Sequence, residues 1–397
     1  MISMPEPSSS TRAPRIALTT YSTKPRGGVV HTLELAEALH SAGMAVTVIA
    51  MGEPGALFRE VSVPVRMIAP PGQFDTLEER VFSWIDAMTS GLQGMRDEFD
   101  IVHSQDCISA RAAARVRDAG APFKLVRTVH HVDDFTTQAL IDCQRNAILE
   151  PDRALVVSKS WQDRLLDEYG IAASIVYNGV KADRFRTKLT PERRAELRNR
   201  IGSGNRFLYL TIGGIEPRKG SEFLMKAMAK LKAERPEPPL LAVIGGHSFQ
   251  DYRDYRDQVL GSFSEMGLEL GKDVILLNTV TQTELVEWLA AADGFVFPST
   301  KEGWGLVIME AAAAGLPVVA SDIDVFREFL VADEHAILTT TGDVDSLASG
   351  MARLVDEPEI AGRLVQNGMN LVAGYSWEAT AEEHIRIYDE ILRTQPK

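Results

Sequence analysis

The sequence PSTKEGWGLVIMEAAAAGLP, residues 298–317, gives the strongest indication of the fold. An apolar strand ends at Pro298, a glycine-bearing loop follows, and a helix is predicted to begin near Gly305. Backbone N–H groups at such a helix start, together with the helix dipole, favour a phosphate group. Glu302 and Glu310 are eight residues apart, and Glu310 on the second turn is placed to accept hydrogen bonds from a ribose beside that phosphate. Two glutamates at this spacing are equally typical of a solvated helix face.

Strand-then-helix alternation recurs on the N-terminal side of this stretch and continues after it. Short, continuous apolar runs are each followed by a turn or a helix, which predicts parallel sheets with helices on both faces. Right-handed crossovers then give two doubly wound α/β domains, whose ligands would bind in a cleft at the carboxyl ends of the strands. The predicted strands are residues 15–21, 45–51, 100–104, 124–129, 153–158 and 174–177, then 207–212, 240–244, 274–277, 294–298, 317–321 and 336–339.

The length of the chain indicates two domains. With 397 residues it exceeds what one ordinary core holds, since domains of roughly 150–200 residues are typical. Residues 1–14 are polar and rich in proline, which predicts a disordered tail. The charged stretch 181–205 is predicted to contain a connecting helix. We therefore expect domains at 15–182 and 183–375, with an amphipathic helix at 376–394 that packs back on the first domain.

Charge and cysteine content narrow the classes of function. A formal net charge of −13 argues against a protein that coats nucleic acid, although a few cations and helix starts can still bind a small anion. Cys107 and Cys143 are too few for a disulfide framework and lack metal-ligand spacing, so a reducing, cytoplasmic setting is expected. The longest apolar runs have about eight residues, whereas a membrane span needs roughly 20.

A basic stretch in the first half leaves the question of a membrane surface open. Its cations are most simply a solvated helix face. Contact with anionic lipid at the inner face of a membrane, or with an acidic acceptor, is the alternative. The stretch comprises Arg111, Arg115, Arg117, Lys124 and Arg127.

A second motif, GGIEPRKG at residues 213–220, lies at another predicted strand-to-helix turn. Lys219 at the helix start would act as a mobile positive charge that neutralises a diphosphate. An ordinary exposed helix start would also account for the pair Arg218 and Lys219. The motif alone is therefore weaker evidence than the stretch around Glu302.

A third motif, RTVHHVDD at residues 127–134, ends a predicted strand of the first domain. A histidine there would point into the predicted cleft. Adjacent residues on a strand point to opposite faces, so His130 and His131 are not expected to bind a metal ion together. No metal site and no cofactor are predicted.

Gly27 and Gly28 follow the first predicted strand. They are expected to form a tight turn that admits positive φ, or to let the backbone approach a phosphate or an acceptor closely. No third glycine follows at the dinucleotide-binding spacing, and the chain contains no phosphate loop with a Gly-Lys-Ser/Thr sequence.

In combination these motifs resemble the retaining glycosyltransferases of family 4, also called group 1. The resemblance rests on Glu302 and Glu310 as the Glu-x7-Glu motif, on YNGV at residues 177–180, and on Ser376-Trp377 before the last helix. It extends from Arg15 to the C-terminal helix. It implies the GT-B architecture, in which two Rossmann-like domains face each other, the first binding the acceptor and the second the nucleotide-sugar donor.

The resemblance assigns roles residue by residue. It implies that Glu302 faces the hydroxyls of the donor sugar, that Glu310 binds the ribose, and that His130 contacts the transferred sugar. The family usually has arginine as a diphosphate clamp where this chain has Gly214, and Arg218 is the candidate that supplies the missing charge. The implied catalytic residues are His130, Lys219 and Glu302, and the donor-binding set is Gly27, Gly28, Gly214, Arg218, Lys219, Val280, Glu302, Gly303, Trp304, Gly305, Leu306, Val307 and Glu310.

These observations predict a retaining, metal-independent glycosyltransferase. It would move a hexose from a nucleotide-diphosphate sugar, with UDP-glucose and GDP-mannose favoured as donors, to an acceptor that the sequence does not identify. Two alternatives stay open, namely a sugar-nucleotide epimerase of the same fold and a non-catalytic nucleotide-sugar-binding protein. Gly214 in place of arginine favours the second alternative.

Overall fold

The computed structural model describes residues 12–246 and 252–394. Most of the predicted disordered tail, residues 1–11, lies outside this range. Contacts between residues divide the chain into two compact units. The first contains the residues up to Leu155 and those from Ala381 onward, and the second is Val156–Thr380. The predicted boundaries at 182/183 and 375/376 stay a prediction.

Within the described residues, the first sheet has seven strands in the order β3-β2-β1-β4-β5-β6-β7. Its central strands pair in parallel, with Ile16 of β1 opposite both Val46 of β2 and Ile101 of β4. The elements as far as β7 are β1 Arg15–Thr20, α1 Gly27–Ser41, β2 Ala45–Met51, β3 Val65–Ile68, α2 Leu77–Gln93, β4 Ile101–Ser104, α3 Cys107–Asp118, β5 Lys124–Val129, α4 Gln138–Leu149, β6 Arg153–Val156, α5 Lys159–Tyr169 and β7 Ser174–Ile175.

The second sheet, as far as the structure describes the chain, has six strands in the order β10-β9-β8-β11-β12-β13, again paired in parallel. The remaining elements are α6 Ala182–Phe185, α7 Pro191–Arg200, β8 Leu208–Ile212, a 3-10 turn Pro217–Lys219, α8 Ser221–Glu234, β9 Leu240–Ile244, α9 Arg253–Gly261, β10 Val274–Asn278, α10 Gln282–Ala291, β11 Gly294–Phe297, α11 Leu306–Ala313, β12 Val318–Ser321, α12 Asp324–Arg327, β13 Ile337–Thr339, α13 Val344–Asp356, α14 Pro358–Val372 and α15 Trp377–Arg393. The predicted pair of doubly wound parallel sheets is confirmed.

Local sequence explains where the helices begin. The Thr76 hydroxyl accepts a hydrogen bond from the Glu79 N–H while the Glu79 carboxylate accepts one from the Thr76 N–H, which is a capping box at the start of α2. The connecting helix predicted within 181–205 is α7, whose first residue is Pro191 and whose cap is Thr190. Asp106 caps α3 in the same way, accepting from the Ser109 N–H at 2.8 Å.

Each unit has its own apolar core. In the first unit every residue of the central strand β1 except Arg15 is buried, with Ile16 and Leu18 at 0% exposure. The C-terminal helix α15 contributes Tyr388, whose hydroxyl lies 2.6 Å from Nδ1 of His103 on β4. In the second unit Tyr209 and Val296, on the neighbouring strands β8 and β11, lie in one apolar cluster with the helices around them. None of the helices within the described ranges is long and apolar enough to cross a membrane.

Candidate active site

The second unit places two of the predicted motifs at one point of its sheet. The strand order reverses between β8 and β11, because the chain adds strands on one side of β8 first and then on the other side. Ligands of doubly wound sheets bind at the carboxyl ends of the strands where the order reverses. The motif 213–220 follows β8 and the loop 298–305 follows β11, so both motifs lie at this position.

The segment after β8 is shaped by glycines around a short 3-10 turn. Lys219 is the last residue of the turn Pro217–Lys219, and Gly220 with φ of 65° leads directly into α8. The sequence predicts Lys219 at a helix start, and the structure places it two residues before Ser221, the first residue of α8. Its side chain turns back along the loop, since a Cβ on Gly213 would lie 3.2 Å from the Lys219 Cε. The ammonium lies 4.6 Å from the centre of the Phe297 ring.

The loop after β11 ends at a helix start that no side chain among the described residues caps. Gly305, with φ of 111°, precedes α11, as the sequence predicts. A β-carbon at Gly305 would lie 2.8 Å from the Phe326 ring, so both the space and the backbone conformation require glycine. Leu306 and Val307 form the first turn of α11, where N–H groups have no partner within the helix. The geometry suits an anion at this helix start.

Lys219 and Glu302 form an ion pair that joins the two motifs. The Lys219 Nζ lies 2.6 Å from the Glu302 Oε1, and the two side chains are only 15% and 11% exposed. The Arg218 Nη1 lies 3.3 Å from the same oxygen, and its Nε lies 3.2 Å from the Glu216 Oε2. Glu302 therefore has two cations beside one of its oxygens. These cations come from the motif in which the sequence predicts diphosphate binding.

Burial and charge act in opposite directions on this pair. Burial tends to raise the pKa of Glu302, but the positive charges of Lys219 and Arg218 outweigh it and hold that pKa below its ordinary value. Burial lowers the pKa of Lys219, and the Glu302 carboxylate opposes this shift only in part. Glu302 is consequently ionised at neutral pH. A carboxylate in this state accepts hydrogen bonds, for example from the hydroxyls of a sugar.

Other predicted donor-site residues lie at the same edge of the second sheet. Gly303 is half-buried in the loop, and Trp304 is 3% exposed against the rings of Tyr177 and Phe329. Glu310 is half-buried on the second turn of α11. Val280 follows β10, two strands from β8, and is also half-buried. The structure brings Gly214, Arg218, Lys219, Glu302–Val307 and Glu310 together at the β8/β11 position, and their roles stay predictions.

Gly214 occupies the position where the family usually has arginine. A β-carbon there would lie 2.7 Å from the main-chain oxygen of Gly246 and 3.1 Å from the Glu216 Oε1. The distance to the Gly246 oxygen is shorter than a normal contact. That oxygen belongs to the main chain and moves only with its loop. The local backbone therefore excludes a side chain in this conformation, and the departure from the family pattern is built into the loop.

We expect Gly214→Arg to impair the protein rather than improve it. Forcing a side chain against the Gly246 oxygen should cost about 1–3 kcal/mol of unfolding free energy, as overpacking does. Nucleotide affinity should fall together with stability, because the segment that carries Lys219 must move. Thermal unfolding and calorimetry on Gly214→Ala and Gly214→Arg would measure both quantities. Tighter nucleotide binding by the arginine variant would contradict this prediction.

The first unit holds the remaining predicted residues, with Gly27 and Gly28 after β1 and His130 after β5. His130 directly follows β5, and its Nε2 lies 2.9 Å from the Gln105 Oε1. The His130 ring also packs edge-on against the His31 ring at 4.6 Å. Burial lowers the pKa of His130 to about 3, so this imidazole is neutral. A neutral imidazole offers one donor and one acceptor nitrogen, and Gln105 engages one of the two.

The turn predicted at Gly27 and Gly28 is wrong in its geometry. Both residues lie in the first turn of α1, and neither has a positive φ. The helix α1 begins at Gly27, and the permissive backbone of glycine allows both residues to adopt its conformation. A β-carbon at Gly28 would lie 3.6 Å from the His130 Cδ2, so its glycine leaves the edge of that ring uncovered.

The His131 Nε2 lies 3.3 Å from the Asp133 Oδ1. Across the described parts of the chain, no three His, Cys, Asp or Glu side chains are grouped so that they could hold a metal ion. Metal independence stays a prediction.

Two contacts at these sites were not predicted from the sequence. Trp161 of α5 donates its indole N–H to the main-chain oxygen of Glu302 at 2.9 Å. Gln105 contacts His130 as described above. Each contact joins residues at least 25 positions apart in the chain, and no local motif marks Trp161 or Gln105. A polar residue directly after a buried strand, as Gln105 follows β4, is the one signal that the sequence offers.

Two family models match the sequence. The model described as Glycosyltransferase Family 4 matches residues 25–184, and the model described as Glycosyl transferases group 1 matches residues 193–371. The chain is 26% identical over 392 residues to an uncharacterized glycosyltransferase of Methanocaldococcus jannaschii, covering 94% of this chain and 97% of the relative. It is 27% identical over 421 residues to a D-inositol 3-phosphate glycosyltransferase of Nocardioides sp., covering 94% and 89%.

Solved structures agree on the fold. The crystal structure of HepE from Anabaena, in complex with UDP and glucose, matches with a TM-score of 0.80 at 19% identity and covers 95% of this chain and all of that one. Sucrose-phosphate synthase from Thermosynechococcus elongatus matches with a TM-score of 0.78 at 21% identity, covering 96% and 99%. The two family models follow one another and together span most of the sequence, so this protein belongs to the group 1 glycosyltransferases of family 4 and has the GT-B fold.

Proposed function

We propose that this glycosyltransferase moves a hexose from a nucleotide-diphosphate sugar with retention of anomeric configuration and without a divalent metal ion. The Lys219–Glu302 pair at the position where the strand order reverses carries the proposal. It sets a buried cation and an ionised carboxylate beside the uncapped start of α11. A cation and a helix start suit a diphosphate, while a carboxylate suits the hydroxyls of a sugar.

In the second unit, one set of groups would stabilise the leaving diphosphate. Negative charge develops on the diphosphate as the glycosidic bond breaks, and Lys219 with the N–H groups of Leu306 and Val307 would stabilise it. Donors already held in place for that charge stabilise the transition state more than the ground state. Arg218, beside Glu302 at 3.3 Å, would add a second positive charge. Together these groups would do what a bound magnesium ion does in other transferases.

Glu302 would bind the transferred sugar rather than attack it. Its Oε1 is engaged by Lys219 and lies beside Arg218, and a carboxylate held by cations is a poor nucleophile. We therefore favour a front-face displacement, in which the departing phosphate oxygen accepts the proton of the acceptor hydroxyl. The new glycosidic bond then forms on the face from which the diphosphate leaves. His130 of the first unit is proposed to orient the sugar, and Glu310 to bind the ribose.

Related proteins favour UDP-glucose as the donor. The HepE structures were solved in complex with UDP, with UDP-glucose, and with UDP and glucose. Another relative, 28% identical over 327 residues, is a mannosyltransferase of Mycolicibacterium hassiacum, which keeps GDP-mannose among the candidates. The acceptor is unidentified, and D-inositol 3-phosphate is one compound to test because several relatives are named for it.

A nucleotide screen tests this proposal. We expect one of UDP, GDP and ADP, at about 100 times its Kd and without Mg²⁺, to stabilise the protein by roughly 2.7 kcal/mol. Glu310→Ala should weaken that effect at least about 10-fold in Kd, because it removes the ribose contact. Glu196→Ala is the control, since Glu196 lies exposed on α7 and pairs with Arg193. Thermal unfolding and calorimetry would measure both.

Several results would contradict the proposal. Binding that requires Mg²⁺ would remove its metal independence, and equal affinity in Glu310→Ala would remove the ribose assignment. Nuclear magnetic resonance of the product formed from UDP-glucose would show the anomeric configuration. An inverted product would exclude the front-face route.

A further inference from the structure

Helix α5 of the second unit carries a buried tryptophan that contacts the candidate donor site. Trp161 is 3% exposed, and its indole Nε1 donates to the main-chain oxygen of Glu302 at 2.9 Å. The guanidinium of Arg164 lies 5.0 Å from the centre of its ring. A hydrogen bond from a buried donor to a loop carbonyl fixes the loop at that residue, because breaking it leaves the buried indole N–H without a partner.

The start of α5 is itself held in place. The Glu328 carboxylate accepts from the N–H of Lys159 at 2.7 Å and from the N–H of Ser160 at 2.8 Å. It also accepts from the Ser160 hydroxyl at 2.7 Å. A carboxylate at a helix start satisfies N–H groups that have no partner within the helix. The helix therefore presents Trp161, the residue directly after Ser160, from a fixed position.

Glu302 is held through both its main chain and its side chain. Its main-chain oxygen accepts from Trp161, and its carboxylate accepts from Lys219 at 2.6 Å. The neighbouring loop residue Thr300 donates its N–H to the main-chain oxygen of Arg218 at 2.8 Å. If the main chain at Glu302 moves, the carboxylate leaves the place where Lys219 can reach it. The indole bond and the ion pair are thus coupled through one residue.

We propose that Trp161 is a positioning residue for glycosyl transfer, which sets the Glu302 carboxylate through its main-chain oxygen. The inference rests on the proposed function for its effect on turnover, but its effect on Glu302 is independent of that function. Removing the indole N–H should let the loop relax and lengthen the contact between Glu302 and Lys219. The pKa of Glu302 should then rise, since burial raises it and the cation that lowers it has moved away.

The chain offers a matched control in Trp288 of α10. Trp288 is fully buried in the same unit, and Arg200 lies 5.1 Å from the centre of its ring, much as Arg164 lies beside Trp161. Its Nε1 has no hydrogen-bond partner among the described residues. Trp161→Phe and Trp288→Phe therefore remove the same atoms from similar surroundings. Only the first change removes a bond to Glu302.

The first measurement is turnover of UDP-glucose by the full chain, with water as acceptor. We expect Trp161→Phe to lower kcat roughly 10- to 100-fold, as a misplacement of about 1 Å does, and to leave the Kd for UDP within about 2-fold. Trp288→Phe should match wild type in both. The acid limb of the kcat profile should shift to higher pH in Trp161→Phe alone. A kcat equal to that of Trp288→Phe would overturn the inference.

The second measurement does not depend on activity. In protein carrying ¹³C-labelled glutamate, with the Glu302 signal assigned from Glu302→Gln, the carboxyl of Glu302 should titrate at higher pH in Trp161→Phe than in Trp288→Phe. An unchanged titration would overturn the inference. A shifted titration in a protein that turns over no nucleotide sugar would support the positioning role and contradict the proposed function, so the two failures are distinguishable.

Discussion

Lys219→Ala is expected to lower the rate of sugar transfer by roughly 10²- to 10³-fold, as loss of one preorganised charge at a developing oxyanion does. Lys219 is the most buried cation of the candidate site, at 15% exposure, and it joins the segment after β8 to the loop after β11. Its loss removes charge from the diphosphate and also the partner of Glu302. The effect should fall mainly on kcat, measured with saturating UDP-glucose.

Lys232 provides the control for this change. Its Nζ lies 2.7 Å from the Asp273 Oδ2, and Asp273 has a second cation nearby in Arg206, at 3.6 Å. Lys232→Ala therefore removes a lysine from a buried carboxylate that keeps an arginine, as Lys219→Ala does at Glu302. We expect Lys232→Ala to lose stability and keep its rate per folded molecule. Equal losses of rate in both variants would mean that Lys219 acts only through folding.

Lys219→Ala should also change how stability depends on pH. In wild type the pKa of Glu302 is lowered, so the ionised carboxylate stabilises the fold above its unfolded pKa and this contribution disappears as the pH falls. In the variant, burial should raise that pKa and make ionisation costly at neutral pH. Breaking a buried pair costs about 3–5 kcal/mol, and Arg218 should reduce this to about 1–3 kcal/mol. Chemical unfolding at several pH values should show that the difference in unfolding free energy between wild type and Lys219→Ala becomes smaller as the pH falls.

Much of the fold could be predicted because the strands of buried parallel sheets are short apolar runs. The central strands β1, β2, β8 and β9 are almost entirely buried, and all four lie within predicted runs. Strand β3, Val65–Ile68, was not predicted. It lies at the edge of its sheet and contains Arg66, which is exposed, so its sequence lacks a continuous apolar run.

The candidate site could be predicted where it depends on neighbours in sequence. A strand followed by a glycine loop and a helix start marks Glu302 and Lys219 at their places. The contact between them joins positions more than 80 residues apart, and only the pairing of β8 with β11 brings them together. The indole of Trp161 is still further from Glu302 in sequence. Such contacts depend on tertiary packing, which a local pattern does not contain.

Gly214 is a position whose residue type the sequence shows but whose structural reason it does not. Its departure from the family pattern is visible in the chain, but its meaning depends on the distance from its position to the Gly246 oxygen. The sequence suggests a missing charge that another residue must supply. The structure gives a reason in packing, because the loop after β9 lies too close for any side chain. The same observation weakens the view that Gly214 marks a degenerate site.

Gly220→Ala is expected to destabilise the second unit by about 3 kcal/mol or more. Gly220 has φ of 65°, which costs an L-residue roughly 1–2 kcal/mol. A β-carbon there would also lie 2.1 Å from the main-chain oxygen of Pro298, which directly follows β11 and begins the loop of Glu302. Neither atom belongs to a flexible side chain, so the two loops of the site must move apart. Chemical unfolding would give the change in unfolding free energy.

Gly202 separates the two causes. It has φ of 66° in the same unit, and no atom lies within 4 Å of the β-carbon that an alanine would add. Gly202→Ala should therefore cost only the roughly 1–2 kcal/mol of the backbone conformation. The excess in Gly220→Ala measures the close approach of the segment after β8 to the end of β11. Because Lys219 directly precedes Gly220, Gly220→Ala should also bind the nucleotide more weakly. Equal costs in the two variants would mean that the loops separate freely, and the site would then not be held as rigidly as its contacts indicate.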